Sequence, residues 1–206
     1  MAKIILDFGS GNSCKNNWDY TKRMIDELKA VDSGRHSVVI KWQLFLQAGD
    51  NIPLDRNIFQ KAYYYAKSLG YKTTSSVFDK ESLEFLLRYE PCFVKIANRR
   101  ELDWLIGEIP RKVPVYVSTN NINIALDYSG NIICMACVSE YPASIDKYAM
   151  LQSIERAWAI SDHTTDFALW HKYQPEIIEW HFGLPDSTGL DAGPFMRTPE
   201  MLREVL

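Results

Sequence analysis

Eight short β-branched or apolar runs, separated by stretches with helical periodicity, constrain this chain more than any other feature. They are Lys3–Phe8, Ser37–Gln43, Tyr71–Val77, Cys92–Ala97, Val113–Thr119, Asn131–Ser139, Arg156–Asp162 and Pro175–Phe182. Between them lie amphipathic stretches such as Asp19–Lys29, Asp55–Leu69, Asp79–Tyr89, Arg99–Ile106 and Ile145–Ile154. Alternation of this kind demands a parallel sheet with helical crossovers, and eight strands favour closure into a barrel over an open sheet. The expected fold is a compact α/β structure, a (β/α)8 TIM barrel. At 206 residues the chain is shorter than the about 250 that such barrels usually take, so its helices must be shortened. Asn120–Asp127 has room for barely a turn of helix, and a last helix starts with Thr198 as N-cap and Pro199 at its first position. No linker, repeat or low-complexity segment breaks the pattern, so residues 1–206 read as one domain.

A net charge of −3 and the lack of any Lys/Arg run give no electrostatic field for nucleic acid. No stretch of about 18 apolar residues occurs and the N-terminus lacks signal-peptide features, so a cytoplasmic protein without membrane contact is expected. Cys134 and Cys137 form a C-x-x-C inside an apolar strand-like run. Residues three apart on a strand point to opposite faces, which suits core cysteines rather than a redox or zinc pair.

Polar residues gather at the carboxyl ends of the strands, where barrels of this kind carry their chemistry. Strand one offers Asp7, strand two Lys41 and Gln43, strand three Ser75 and Ser76, and strand four Lys95. Strand five ends in Ser118-Thr119, strand six in Ser139-Glu140-Tyr141, strand seven in Ser161-Asp162-His163, and strand eight carries Glu179 and His181 on one face. A closed barrel has no edge from which a charge can escape to water, so Lys41, Lys95 and Glu179 require a polar site. Two histidines on neighbouring strand ends suit a first-row divalent metal, and the lysines suit a phosphate or carboxylate. Glu179 beside the metal is placed for acid–base work. His36 and His171 read as surface residues, and the Gly9–Ser13 loop offers backbone N–H groups to an anion.

The segments Ile160-Ser161-Asp162-His163-Thr164, Ile177-Ile178-Glu179-Trp180-His181-Phe182 and Gly189-Leu190-Asp191-Ala192-Gly193-Pro194 resemble elements of the N-acetylneuraminate (sialic acid) synthases, in the same order. Cys137-Val138-Ser139-Glu140-Tyr141-Pro142, Ile40-Lys41-Trp42-Gln43, Ser75-Ser76-Val77-Phe78-Asp79, Val94-Lys95-Ile96 and Pro114–Thr119 extend the resemblance over nearly the whole chain. It implies a transferase of carbohydrate biosynthesis that condenses phosphoenolpyruvate with a sugar aldehyde to a sialic-acid-like acid and releases phosphate. By that resemblance His163 and His181 hold a divalent metal, Mn²⁺ first and Mg²⁺ or Co²⁺ as alternatives. Glu179, Asp7, Lys41 and Lys95 are catalytic. Ser76 and Ser118 join the lysines on phosphate and carboxylate, and Tyr141 and Asp191 contact the sugar. Gln43, Asn98, Ser139 and Ser161 complete the substrate contacts.

The sequence departs from that family at several points. Asp7 stands for a Glu, Ser139 for an Asn, Asn98 for a Ser, and Trp180 for a Lys that parity places outside the barrel. The resemblance covers the barrel and not the family's antifreeze-like domain, which brings an Arg into the partner subunit's site. The sugar is thus left open, and a homodimer or a separate sugar-binding domain is the expected partner. The same residues also fit a metal-dependent aldolase, or a catalytically weakened barrel that binds a sugar or a protein.

Overall fold

A computed structural model of the chain describes residues 1–120, 131–153 and 159–206. Eight parallel strands close into a barrel in sequence order: β1 (Lys3–Asp7), β2 (Ser37–Leu44), β3 (Lys72–Val77), β4 (Val94–Ile96), β5 (Val115–Thr119), β6 (Ile132–Cys137), β7 (Ala159–Asp162) and β8 (Ile177–His181). Closure comes from the β1–β8 pairing, in which Asp7 lies level with His181; across β2 the same Asp7 pairs with Lys41. The strand expectation Arg156–Asp162 begins in residues outside those described, as does Asn120–Asp127 from residue 121 onward.

Helices α1 (Trp18–Val31), α2 (Arg56–Ser68), α3 (Lys80–Leu87), α4 (Trp104–Glu108), α5 (Ala168–Tyr173) and α6 (Pro199–Leu202) cover the barrel. Their starts follow capping chemistry. Asn17, Asp55, Asp79 and Thr198 each accept a hydrogen bond from a backbone N–H of the first turn, satisfying donors the helix itself leaves unpaired. Two expected helices are altered. Arg99–Ile106 is divided into a 3₁₀ turn at Arg100–Leu102 and the short α4. The stretch from Ile145 is a 3₁₀ helix to Ser153 kinked at Tyr148, and Ile154 lies outside the described residues. The buried Tyr148 hydroxyl donates to the Ser161 carbonyl at 2.8 Å and accepts from His163 N at 3.0 Å, so the kinked residue is bound to the end of β7.

Strand parity divides the core in two. Outward residues such as Ile4, Leu6, Ile40, Trp42, Ile178 and Trp180 pack beneath the helices. Inward residues Ile5, Val39, Phe93, Tyr116, Met135, Ala159 and Ile177 form a plug across the barrel floor, with the Phe93 and Tyr116 rings stacked at 4.0 Å. Two positions further along each of these strands the inward residue is polar: Asp7, Lys41, Lys95, Ser118, Cys137, Ser161 and Glu179. The period-2 geometry of a strand thus turns an apolar floor into a polar site within one step. Among the described residues no helix is long and apolar enough to cross a membrane.

Candidate active site

The layer above the plug is built from charges that water scarcely reaches: Asp7, Lys41, Lys95 and Glu179 are each 5% exposed or less. Lys41 Nζ lies 2.6 Å from Asp7 Oδ2 and 3.7 Å from Glu179 Oε1, and donates to Ser76 Oγ at 2.9 Å. Lys95 Nζ stands 3.8 Å from Glu179 Oε2 and donates to Ser118 Oγ at 2.6 Å. Glu179 therefore sits between two ammonium groups, and its Oε2 has no hydrogen-bond donor among the described residues.

Burial penalises all of these charges, and the neighbours decide the outcome. For Lys41 the Asp7 and Glu179 carboxylates override burial and raise its pKa above the ordinary value. For Lys95 burial prevails over the pull of Glu179, and its pKa falls. Burial opposes ionisation of Asp7 too, but Lys41 and His181 bring its carboxyl down to about 2. Lys41 is thus tied to Asp7 at hydrogen-bond distance, whereas Lys95 meets its carboxylate, Glu179, only at 3.8 Å and gains more from an anionic ligand.

The two histidines occupy the far side. His163 Nδ1 lies 2.6 Å from the Val138 carbonyl, which can only accept, so this nitrogen carries the proton and Nε2 keeps its lone pair. Burial, reinforced by His181, holds the His163 pKa at about 3, leaving a neutral imidazole. The His181 ring centroid is 5.4 Å away. Its Nδ1 is 3.0 Å from Asp191 Oδ1 and 3.7 Å from Asp7 Oδ2, off the line of a hydrogen bond. Burial resists protonation of His181, and Asp191 overrides it and raises the pKa.

These residues fit a divalent metal by the chemistry of their donors. His163 presents an unprotonated Nε2, and the His181 ring stands beside it with its Nδ1 turned to the Asp191 carboxylate, which leaves Nε2 as its donor atom. A second donor set overlaps the first, since ligand atoms of Asp7, His181 and Asp191 lie within 4.8 Å of one another. That carboxylate side already holds donors: besides Lys41 on Asp7, Gln43 Nε2 donates to Asp7 Oδ2 at 2.9 Å and Asp191 Oδ1 at 3.1 Å.

Every catalytic, substrate-binding and metal-binding residue implied by the resemblance lines one cavity of about 610 Å³ at the carboxyl ends of the strands. Asn98 and Ser139, two of the departures noted above, meet there: Asn98 Nδ2 donates to Ser139 Oγ at 2.8 Å. Tyr141, 54% exposed at the rim, stacks on His163 with ring centroids 4.1 Å apart. Ser161 Oγ approaches His163 Nε2 at 3.5 Å. Other lining residues escaped the sequence reading, Cys137, Arg99 and Phe195 among them. Cys137 is the inward member of the C-x-x-C, and parity alone would have found it. Arg99 follows β4 in a loop, and Phe195, packed 5.0 Å from His181 and 5.2 Å from Tyr141, comes from a distant segment without periodicity.

Two backbone donors of the Gly9–Ser13 loop are taken within the protein. Gly9 N donates to Asp7 Oδ1 at 3.0 Å and Gly11 N to the Ile52 carbonyl at 3.0 Å, so these donors are already engaged. Asp162 also faces away from the cavity, into the layer beneath the helices, where Trp180 Nε1 donates to it at 2.8 Å. His171 is exposed and paired with Glu204, while His36 is half-buried and accepts from Ala2 N at 3.3 Å.

Residues 32–205 match the NeuB family. No curated protein matches the chain. Among solved structures, N-acetylneuraminic acid (sialic acid) synthetase from Leptospira borgpetersenii is 21% identical with a TM-score of 0.77, covering 98% of this chain and 80% of that one. A putative spore coat polysaccharide biosynthesis protein E from Chromobacterium violaceum is 20% identical with a TM-score of 0.77, covering 99% and 72%. Spore coat polysaccharide biosynthesis protein spsE from Bacillus subtilis is 21% identical with a TM-score of 0.74, covering 98% and 65%. At these identities the likeness to the three structures is one of fold.

Proposed function

Because the chain belongs to the NeuB family, we propose that its cavity condenses phosphoenolpyruvate with an aldose to a sialic-acid-like acid, releasing phosphate, with a divalent metal on His163 and His181. The observation that carries this reading is the charge layout: two buried lysines flank Glu179 on one side, and two imidazoles stand on the other. Such a site receives an anion and a polarisable carbonyl side by side.

In this reading Lys95, 3.8 Å from its carboxylate partner, takes one anionic group of phosphoenolpyruvate together with Ser118, and Lys41 with Ser76 takes the other. Asn98, Ser139 and Ser161 complete that half. Where the related family has a hydroxyl and an amide, Asn98 and Ser139 exchange them, and their mutual hydrogen bond keeps both groups at one spot. A divalent ion supplies Lewis-acid polarisation of the aldehyde oxygen. The Asp191 carboxylate beside Nδ1 of His181 orients that ring, the usual service of a carboxylate to a ligating histidine. Lys41 and Gln43 already satisfy Asp7, which favours the imidazole pair over the carboxylate set as the metal's anchor.

The reaction joins C3 of phosphoenolpyruvate to the aldehyde carbon, adds one water at C2 and expels inorganic phosphate. The water gives up two protons on becoming the keto oxygen; one ends on the new hydroxyl and the other leaves with the phosphate. Glu179, between the ammonium groups, exchanges these protons with Asp7 and Lys41 as its neighbours. Tyr141 and Asp191 at the rim bind the sugar. The barrel acts as one domain.

The test is phosphate release from phosphoenolpyruvate with Mn²⁺ across a panel of aldoses. Release with one aldose and formation of a 2-keto acid are expected. No release with any aldose would sink the synthase reading, and turnover of pyruvate in its place would assign an aldolase.

A further inference from the structure

Arg197 is a cation at 0% exposure that lies outside the cavity and has no part in the reaction proposed above. Its backbone runs beside the end of β8 as a parallel bridge to Phe182: Arg197 N donates to the His181 carbonyl at 2.7 Å, and Gly183 N donates to the Arg197 carbonyl at 3.2 Å. Its side chain crosses to the loop that follows β7. Nη1 donates to the carbonyls of Thr164 and Phe195, each at 2.8 Å, while Nη2 reaches Asp162 Oδ2 at 3.3 Å and the Asp166 carbonyl. The guanidinium lies over the Phe167 ring at 5.1 Å. Asp162 is held in turn, accepting from Thr164 N at 2.8 Å, Thr164 Oγ1 at 2.7 Å and Trp180 Nε1 at 2.8 Å.

The partners of this one side chain are telling. Thr164 adjoins His163, the backbone contact is to His181 itself, and Phe195 packs edge-on against the His181 ring. A buried ion pair is a weak source of stability, because desolvation offsets much of the attraction. Stability alone would be as well served by an apolar residue at this position. What an apolar residue cannot do is grip three carbonyls and a carboxylate from two loops at once. A lysine cannot do so either, because its ammonium is a point charge without the planar fork.

We infer that Arg197 is a positioning residue: it holds the loops after β7 and β8 in one register and so sets the spacing and orientation of His163 and His181. The inference rests on the reading that these imidazoles bind the metal, and its test separates the two. Mn²⁺ affinity of the full chain is measured by EPR titration for wild type, R197K and R197Q, counting only protein that unfolds cooperatively by circular dichroism. R197K keeps the charge opposite Asp162, so a role confined to charge compensation leaves affinity unmoved. The expected result is folded R197K with about 10–100-fold weaker Mn²⁺ binding, the range seen when groups supporting metal ligands are removed, and R197Q at least as weak. Wild-type affinity in folded R197K overturns the inference. Failure of both variants to fold also overturns it, by making Arg197 a fold determinant. If wild type itself binds no Mn²⁺, the metal reading fails on its own. The imidazole NMR resonances of metal-free His163 and His181 then decide: displaced in R197K they support the clamp, unmoved they refute it.

Discussion

Replacing Lys41 by Met removes the ammonium that Asp7 and Glu179 share while keeping an unbranched apolar stem. Asp7 is 3% exposed and Lys41 1%, so solvent screens neither. The Asp7 carboxyl lies at about 2 in place of its ordinary 3.8, despite a burial penalty in the opposite direction. At 1.36 kcal/mol per pH unit that difference is about 2 kcal/mol of net stabilisation of the ionised form. In K41M most of this gain is lost, with His181 and Gln43 left to hold the carboxylate, while the burial penalty remains; breaking buried pairs from one side generally costs about 3–5 kcal/mol. The open cavity above lets water relax the site, so the lower end, about 3 kcal/mol, is expected. With a urea slope of about 3 kcal/mol/M the unfolding midpoint falls by about 1 M. K41M/D7N, which removes the orphaned charge as well, should regain at least half of that loss. The assay is equilibrium urea unfolding of the three proteins by circular dichroism. A K41M midpoint within about 0.3 M of wild type, given that slope, would refute the claim that Asp7 depends on Lys41.

The metal reading makes a sharper demand on β8. His181→Ala should abolish Mn²⁺ binding by EPR titration and leave the cooperative unfolding transition in place, and unchanged affinity would refute the ligand assignment. Gly9 has φ of +72°, and a Cβ there would lie 2.1 Å from Ser13 Oγ and 2.8 Å from Asp191 Oδ2. Gly9→Ala should therefore lower stability by about 1–2 kcal/mol through the left-handed backbone alone. It should also weaken Mn²⁺ binding by about tenfold as Asp191 is pushed from His181; wild-type affinity would show that Asp191 does not orient that ring.

The barrel was legible because a parallel strand buried on both sides must be written in apolar residues, and because one inward position in each strand breaks that rule. Lys41, Lys95 and Glu179 stand out for this reason, and parity carried them to one cavity without any knowledge of distance. Helix boundaries were less legible where tertiary contacts override periodicity, as at Tyr148, whose hydroxyl is drawn under β7. The Gly9–Ser13 loop was only partly legible, because glycine content shows where N–H groups are free to point and not what already accepts from them. Arg197 was invisible for a related reason. An arginine directly before a Thr-Pro helix start looks like a solvated residue, and only the return of the chain alongside β8 buries it.

The plug of seven side chains at the barrel floor has a kinetic consequence. Among the described residues it closes the floor of the cavity, opposite a mouth bordered by Tyr141 and the 189–195 segment. Whatever seats itself on the lysines at the bottom must pass the mouth before the bulkier reactant fills it, and must leave after that reactant has cleared. For the condensation proposed above, order of arrival then follows from the depth of the cavity.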